Sequence, residues 1–155
     1  HVLISADVID SQGQLVTLTN RQLELGYRTS KIQTEDMIIV GARLGFKKGD
    51  PEVIKEKMND LAHRRRTKQP LTLPSAGSTF KRPEGCFAGK LIMDAQLSGC
   101  RIGDAAVSEK HCGFVVNMGK ATSKEVIELI HYIQHTVKDQ FGKDLHPELR
   151  VIGED

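Results

Sequence analysis

Excess charge of one sign is nearly absent from this chain. Its 155 residues carry 22 Lys and Arg against 20 Asp and Glu, a formal net charge of +2. That balance excludes a surface built broadly for nucleic acid, so any basic site must be local. No apolar run approaches the roughly 18 residues needed to span a bilayer, so no membrane role is expected. The opening HVLISADVID has neither a basic start nor a small-residue cleavage site, and no signal-peptide pattern is seen. Cysteines are few and scattered. Cys86, Cys100 and Cys112 fit neither a disulfide framework nor a paired CxxC zinc site, and the simplest expectation is a reduced, cytoplasmic protein without a metal. There is no internal repeat and no low-complexity segment.

What is present reads as globular. Hydrophobic residues make up 39% and charged residues 27%, enough apolar content for one ordinary domain or two small ones. The first residue is His1, not Met, and a strand-like run begins at once, which suggests part of a longer chain. Val2, Ile4, Ala6 and Val8 alternate, and with LVTLT beyond SQGQ they predict a hairpin over residues 1–19 with Gly13 in its connection. TNRQLEL predicts one or two helical turns, capped by Thr19 or Asn20 and ended by Gly26. MIIVGARLGF predicts a strand. Asp50 as N-cap and Pro51 at the first helical position open a helix with Val53, Ile54, Met58 and Leu61 on one face, stopping before Pro70.

Proline then marks a change of character: Pro70, Pro74 and Pro83 fall within residues 70–85, a candidate boundary between two lobes. Beyond it, CFAGKLIMDAQL has helical spacing up to Gly99, and GFVVN reads as a short buried strand. A helix is predicted from about 124 to 141, capped by Thr122 or Ser123, with Val126, Ile127, Ile130, Ile133, Val137 and Phe141 as its stripe. Gly142 ends it, and LRVIG is a last strand. Mixed strands and helices in two layers predict an α+β fold.

Several patterns suggest chemistry and fall short of it. Five residues separate Gly113 from Gly119, and Ala121 follows Lys120 where a phosphate loop needs Ser or Thr; Gly85 and Gly89 have only three between them. His131 and His135 have the spacing of a zinc pair, but Tyr132 stands where a metalloprotease has its glutamate, and two solvated histidines are the plainer reading. HRRRTK, 63–68, is either a solvated helix end or an anion site, with the helix end preferred. PSAGSTFKRPEG, 74–85, gathers two serines, a threonine, a lysine, an arginine and a glutamate where Gly and Pro oppose helix. GYRTS sets Arg28 just after Gly-Tyr, AGS sets Ser78 after a glycine that lets backbone approach a ligand, and HPELR sets Glu148 before the last strand. Each alone is more often structural, yet three loops can converge on one site.

Taken in order, GYRTS, RRRTKQP, SAGSTFKRPEG, AGKLI, GCRIGDAAVSEKHCGFVVN and HPELRVIGE resemble the UDP-N-acetylenolpyruvoylglucosamine reductase family, in its shorter branch without an inserted tyrosine loop. AGSTFKRPEG and VSEKHCGFVVN are the most specific parts. The resemblance implies a flavoenzyme of bacterial peptidoglycan synthesis that uses NADPH and FAD to reduce UDP-N-acetylglucosamine enolpyruvate to UDP-N-acetylmuramate. It implies Ser78 as general acid, and Arg28 and Glu148 as the residues that polarise the substrate carboxylate and stabilise the enol form. Lys68, Arg82 and His111 match substrate-contacting positions; Arg82 stands where some relatives carry asparagine. Nothing resembles the family's N-terminal half, where most FAD contacts lie. The resemblance therefore implies that residues 1–70 are the tail of the FAD-binding domain and 71–155 the substrate-binding domain. It also implies that this chain alone binds FAD weakly or not at all and turns over no substrate. The rival readings are a non-enzymatic α+β module holding a nucleotide-sugar or another phosphorylated ligand through Lys68, Lys81 and Arg82, and a purely structural or partner-binding domain.

Overall fold

The computed structural model describes residues 2–153, and within them the α+β expectation holds: two small antiparallel sheets and four helices, in two compact units that divide between Ile54 and Lys55. No helix among the described residues is long and apolar enough to cross a membrane.

The first unit is a three-stranded sheet. β1 (Leu3–Ile9) pairs with β2 (Leu15–Thr19) as the predicted hairpin, although His1 lies outside the described residues, and β3 (Ile38–Leu44) pairs with the other edge of β1. Gly13 turns the hairpin at φ +74°, and its amide donates to the Asp10 carbonyl at 2.9 Å. Alternation buries Ala6, Val8 and Leu18 on one face, where Leu23 completes the core. The helix expected in TNRQLEL does not form. Asn20 instead donates from its backbone to the Ile4 carbonyl and from Nδ2 to the Leu3 carbonyl, which ties this stretch to β1 as consecutive turns. A single helical turn, α1 (Lys31–Thr34), comes next.

Asp50 and Pro51 start α2 (Pro51–Lys68) as expected: Asp50 Oδ1 accepts from the Glu52 amide at 2.9 Å. Its apolar stripe is not a core face. Val53, Ile54, Met58 and Leu61 are all exposed, and α2 buries no residue.

The second unit has a four-stranded sheet in the order β4 (Ser75–Ser78), β7 (Phe114–Asn117), β6 (Ala105–Val107), β5 (Arg101–Ile102). Both faces are covered, so the two-residue period sorts its side chains. Ala105, Val107 and Val115 point to a core shared with α3 (Ala88–Asp94) and α4 (Ser123–Phe141), while Ala106, Phe114 and Val116 form a second cluster with Leu73. α4 supplies Leu129, Ile130, Ile133 and Val137, spaced to lie on one stripe. Its start is a capping box: the Glu125 amide donates to Thr122 Oγ1 at 3.2 Å, and the Thr122 amide to Glu125 Oε2 at 2.8 Å. Gly142 ends it at φ +64°. Just beyond, Lys138 Nζ donates to Asp144 Oδ2 at 2.6 Å, and that bond holds the Asp144 carboxyl below its ordinary range. Whatever stability this adds is present above the ordinary carboxylate pKa and is lost as pH falls through the lowered one.

The strand expected at LRVIG is absent. Residues 149–153 make no ladder, and only Pro147 upstream forms a bridge, to Phe80.

The stripe of α4 can be checked directly. Ile133→Ala, at a fully buried position, is expected to lower the unfolding free energy by about 3 kcal/mol. Thr122→Ala costs about 1 kcal/mol through the lost cap. Tyr132→Ala on the exposed side stays within about 0.5 kcal/mol. Urea denaturation reads all three, and equal losses at 132 and 133 would contradict the packing described.

Candidate functional site

Arg28 belongs to the first unit, on a loop closed twice. The Lys31 amide donates to the Leu23 carbonyl at 2.9 Å, and Leu23 is anchored in the core. Inside that closure Gly26 and Thr29 face each other, with the Gly26 amide donating to the Thr29 carbonyl at 3.0 Å. Arg28 takes φ +58° at the corner, a turn position usually filled by glycine. An arginine held in the left-handed region reflects a backbone fixed by its surroundings.

The second unit holds Ser78, Glu148 and His111 on three segments joined by backbone hydrogen bonds. β4 runs antiparallel to β7 with Ser75 opposite Val116 and Ser78 opposite Phe114. Between those pairs, Ala76 and Gly77 face the single residue Val115: a bulge, with Gly77 at φ +88° inside it. Only glycine takes that φ without strain, and the bulge re-aims the residue after it. Ser78 emerges exposed, whereas Thr79 is 2% exposed.

Thr79 then fixes two neighbours at once. Its amide donates to the Gly113 carbonyl and its carbonyl accepts from the Glu148 amide, each at 2.9 Å. Two residues further on, the Lys81 amide donates to the His146 carbonyl at 2.8 Å. The HPE segment is therefore stitched antiparallel along residues 79–81, which sets Glu148 opposite Thr79, the residue after Ser78.

On the other side is a hairpin-like loop, 108–114. The Ser108 amide donates to the Phe114 carbonyl at 2.9 Å, and the Phe114 amide to the His111 carbonyl at 3.0 Å. The Gly113 amide donates to His111 Nδ1 at 3.1 Å, which leaves the ring proton on Nε2. The ring also meets Phe114 edge-on at 5.1 Å. Gly89, in the first turn of α3, packs against this loop: a Cβ there would lie 3.1 Å from the Gly113 nitrogen and 3.3 Å from His111 Cε1.

Three basic residues belong to the same unit. The Arg82 guanidinium sits 4.0 Å from the centre of the Phe87 ring. Lys68 is exposed at the last position of α2, and Lys110 Nζ donates to the Arg66 carbonyl at 2.7 Å, tying that helix end to the His111 loop. His131 and His135 are exposed on α4, where His135 Nδ1 lies 2.9 Å from Asp139 Oδ2. No cluster of three metal-ligating side chains occurs among the described residues.

The near-miss phosphate patterns are not anion cradles. Gly113 to Gly119 forms β7 and a turn whose amides are already bound: Lys120 donates to Asp104 Oδ2, and Gly119 and Ala121 donate to Asn117 Oδ1. A groove of about 370 Å³, lined in part by Ala76, Thr79, Val126 and Leu149, contains none of Ser78, Glu148 or His111. The hydrogen-bonded convergence, rather than this apolar groove, carries the candidate chemistry. Two residues that organise the site have no sequence signal: Thr79 reads as an ordinary strand threonine, and Lys110 as a solvated cation.

The sequence profile described as UDP-N-acetylenolpyruvoylglucosamine reductase, C-terminal domain, matches residues 69–152. The chain belongs to this family. It is 53% identical over 154 residues to the UDP-N-acetylenolpyruvoylglucosamine reductase of Clostridium botulinum (strain Eklund 17B / Type B), covering 99% of this chain and 51% of that protein. The reductase of the same name from Exiguobacterium sibiricum is 52% identical, with 99% and 50% covered. The crystal structure of UDP-N-acetylenolpyruvylglucosamine reductase from Thermus caldophilus superposes with a TM-score of 0.80 at 32% identity, over 95% of this chain and 52% of that one. The chain thus spans about half the length of the curated relatives it matches.

The bulge makes a direct prediction. Gly77→Ala meets nothing within 4 Å, yet it forces an alanine to φ +88°. Unfolding free energy should fall by about 1–2 kcal/mol in urea; an unchanged midpoint would mean that Gly77 is not left-handed.

Proposed function

We propose that this chain supplies the proton-donating and carboxylate-binding part of a reductase that converts UDP-N-acetylglucosamine enolpyruvate to UDP-N-acetylmuramate, in the cytoplasmic synthesis of bacterial peptidoglycan precursors. Family membership motivates the reading. The observation that carries it is the pairing of the Glu148 amide with the Thr79 carbonyl, which ties the backbone of Glu148 to the residue that follows the exposed Ser78. On this reading residues 71–155 are the substrate-binding domain and residues 1–70 the end of the FAD-binding one.

FAD, reduced by NADPH, is the hydride source of the complete protein. This chain does not itself fit the flavin pyrophosphate: its glycine pairs are filled by β7, by Asp104 and Asn117, or by the close approach of α3 to Gly113. We assign that cradle to the remaining length of the family's protein. What this chain does concerns the other reactant. After hydride adds to the enolpyruvyl group, the carbon next to the carboxylate holds the electron pair and needs a proton.

Ser78 delivers that proton from Oγ. Arg28, as a planar guanidinium, matches a carboxylate with two parallel hydrogen bonds and draws charge from the reacting carbon. Glu148 works beside a substrate carboxylate only if one of the two is protonated, because two adjacent anions repel strongly. A shared proton there stabilises the enol form. Lys68 and Arg82 suit the diphosphate, and the stacking of Arg82 on Phe87 fixes the direction of its fork. His111, with Nε2–H free to donate, offers a neutral hydrogen bond.

In the complete protein loaded with FAD, Ser78→Ala should leave flavin reduction by NADPH within about twofold. It should slow reoxidation by the enolpyruvyl substrate by roughly 10²-fold or more, as expected for a lost general acid. Stopped-flow absorbance separates the two half-reactions. Loss of the first, with the second intact, would assign Ser78 elsewhere.

A further inference from the structure

We infer that Thr79 is a positioning residue for the proton transfer, acting through the backbone of Ser78 and Glu148 without touching substrate. The inference rests on the function proposed for Ser78 and Glu148, and it adds a residue that the reading does not contain.

The bulge at Gly77 breaks the β4–β7 ladder between Ser75 and Ser78. Opposite that break stands Val115, a buried residue whose amide still needs an acceptor. Thr79 Oγ1 provides it at 2.9 Å, so a side-chain hydroxyl replaces the backbone carbonyl that a regular ladder would present. With its amide on Gly113 and its carbonyl on Glu148, Thr79 makes three strand-like bonds around one α-carbon. Two bonds reach β7 and the residue before it, and one reaches the HPE segment. Rotation of the peptide between Ser78 and Thr79 would strain the amide bond to Gly113, and a shift of the Thr79 α-carbon would strain the other two as well. The bulge frees Ser78 from the sheet's alternation, and Thr79 removes the looseness that a bulge brings.

This role makes the hydroxyl, and not merely a β-branched shape, the necessary feature. Valine keeps the volume of threonine but gives the Val115 amide no acceptor. Serine keeps the acceptor and loses only a methyl group.

The test uses the complete protein with FAD. Thr79→Val should slow substrate-driven flavin reoxidation by roughly tenfold, about one factor of ten per lost positioning bond of ~1.4 kcal/mol. Flavin reduction by NADPH should stay within about twofold. Thr79→Ser should recover reoxidation to within about threefold of the parent. Independently of activity, amide hydrogen exchange should accelerate at Val115 and Glu148 in Thr79→Val and return in Thr79→Ser. Unchanged exchange at both amides would overturn the inference. So would an equal loss in both half-reactions, which marks general destabilisation, or a failure of serine to rescue. If the parent protein's reduced flavin is not reoxidised by the enolpyruvyl substrate at all, the proposed function fails. The exchange result then still decides whether Thr79 holds the two backbones.

Discussion

The second unit depends on one short piece of backbone, the Ser78–Thr79 step beyond the Gly77 bulge. The segments that carry His111 and Glu148 are attached there or to β7 beside it. The Gly113 carbonyl ties in the His111 loop, the Val115 amide ties in the sheet, and the Glu148 amide ties in the segment after α4. Three stretches far apart in sequence, 78–79, 111–115 and 146–148, are thus brought together by main-chain bonds. Main-chain bonds suit this purpose because they do not depend on rotamers, and long side chains lose entropy when they are fixed.

β7 can bear that load because it is buried on both faces. Val115 packs into the core with α3 and α4, while Phe114 and Val116 pack with Ala106 and Leu73. A strand covered on both sides resists local opening, so what hangs from it stays in register. The exposed Ser78 and His111 and the half-buried Glu148 therefore rest on an element with little freedom of its own. α4 contributes from the far side: its four buried aliphatics close the core, and Gln134 Nε2 donates to the Leu145 carbonyl at 2.8 Å. That bond fixes the start of the segment that carries Glu148.

Local chemistry was legible in the sequence wherever it decided structure locally. Asp50-Pro51, the Thr122–Glu125 box and Gly142 mark helix ends because caps act within a few residues. The hairpin is a product of two-residue periodicity, and GFVVN of a short apolar run. Elements that failed were decided at a distance. TNRQLEL has a plausible cap, but Asn20 finds better partners on β1. LRVIG has strand composition, but no neighbour offers it a ladder. The stripe on α2 has helical spacing, yet spacing does not say what covers it. At the site, Ser78 and Glu148 stand out only through the family resemblance. Thr79 does not stand out at all, because its importance lies in where three bonds go and not in its residue type.

A serine is a weak choice of acid, since its hydroxyl titrates far from neutral pH and general acids work best near the operating pH. For Ser78 to donate, position must supply what acidity does not. A proton donor on a mobile loop would spend little time aligned with a short-lived carbanion, and a donor in a regular strand would point where the sheet's alternation sends it. The arrangement here avoids both. The left-handed glycine turns Ser78 out of the alternation, and the threonine immediately after it returns the chain to the sheet with three bonds. Exposure and rigidity are thereby combined in adjacent residues. Glu148 gains the same rigidity through the same carbonyl, so the two groups proposed to handle the proton share one anchor. A displacement of that anchor moves both together, which preserves their mutual geometry better than two separate supports would.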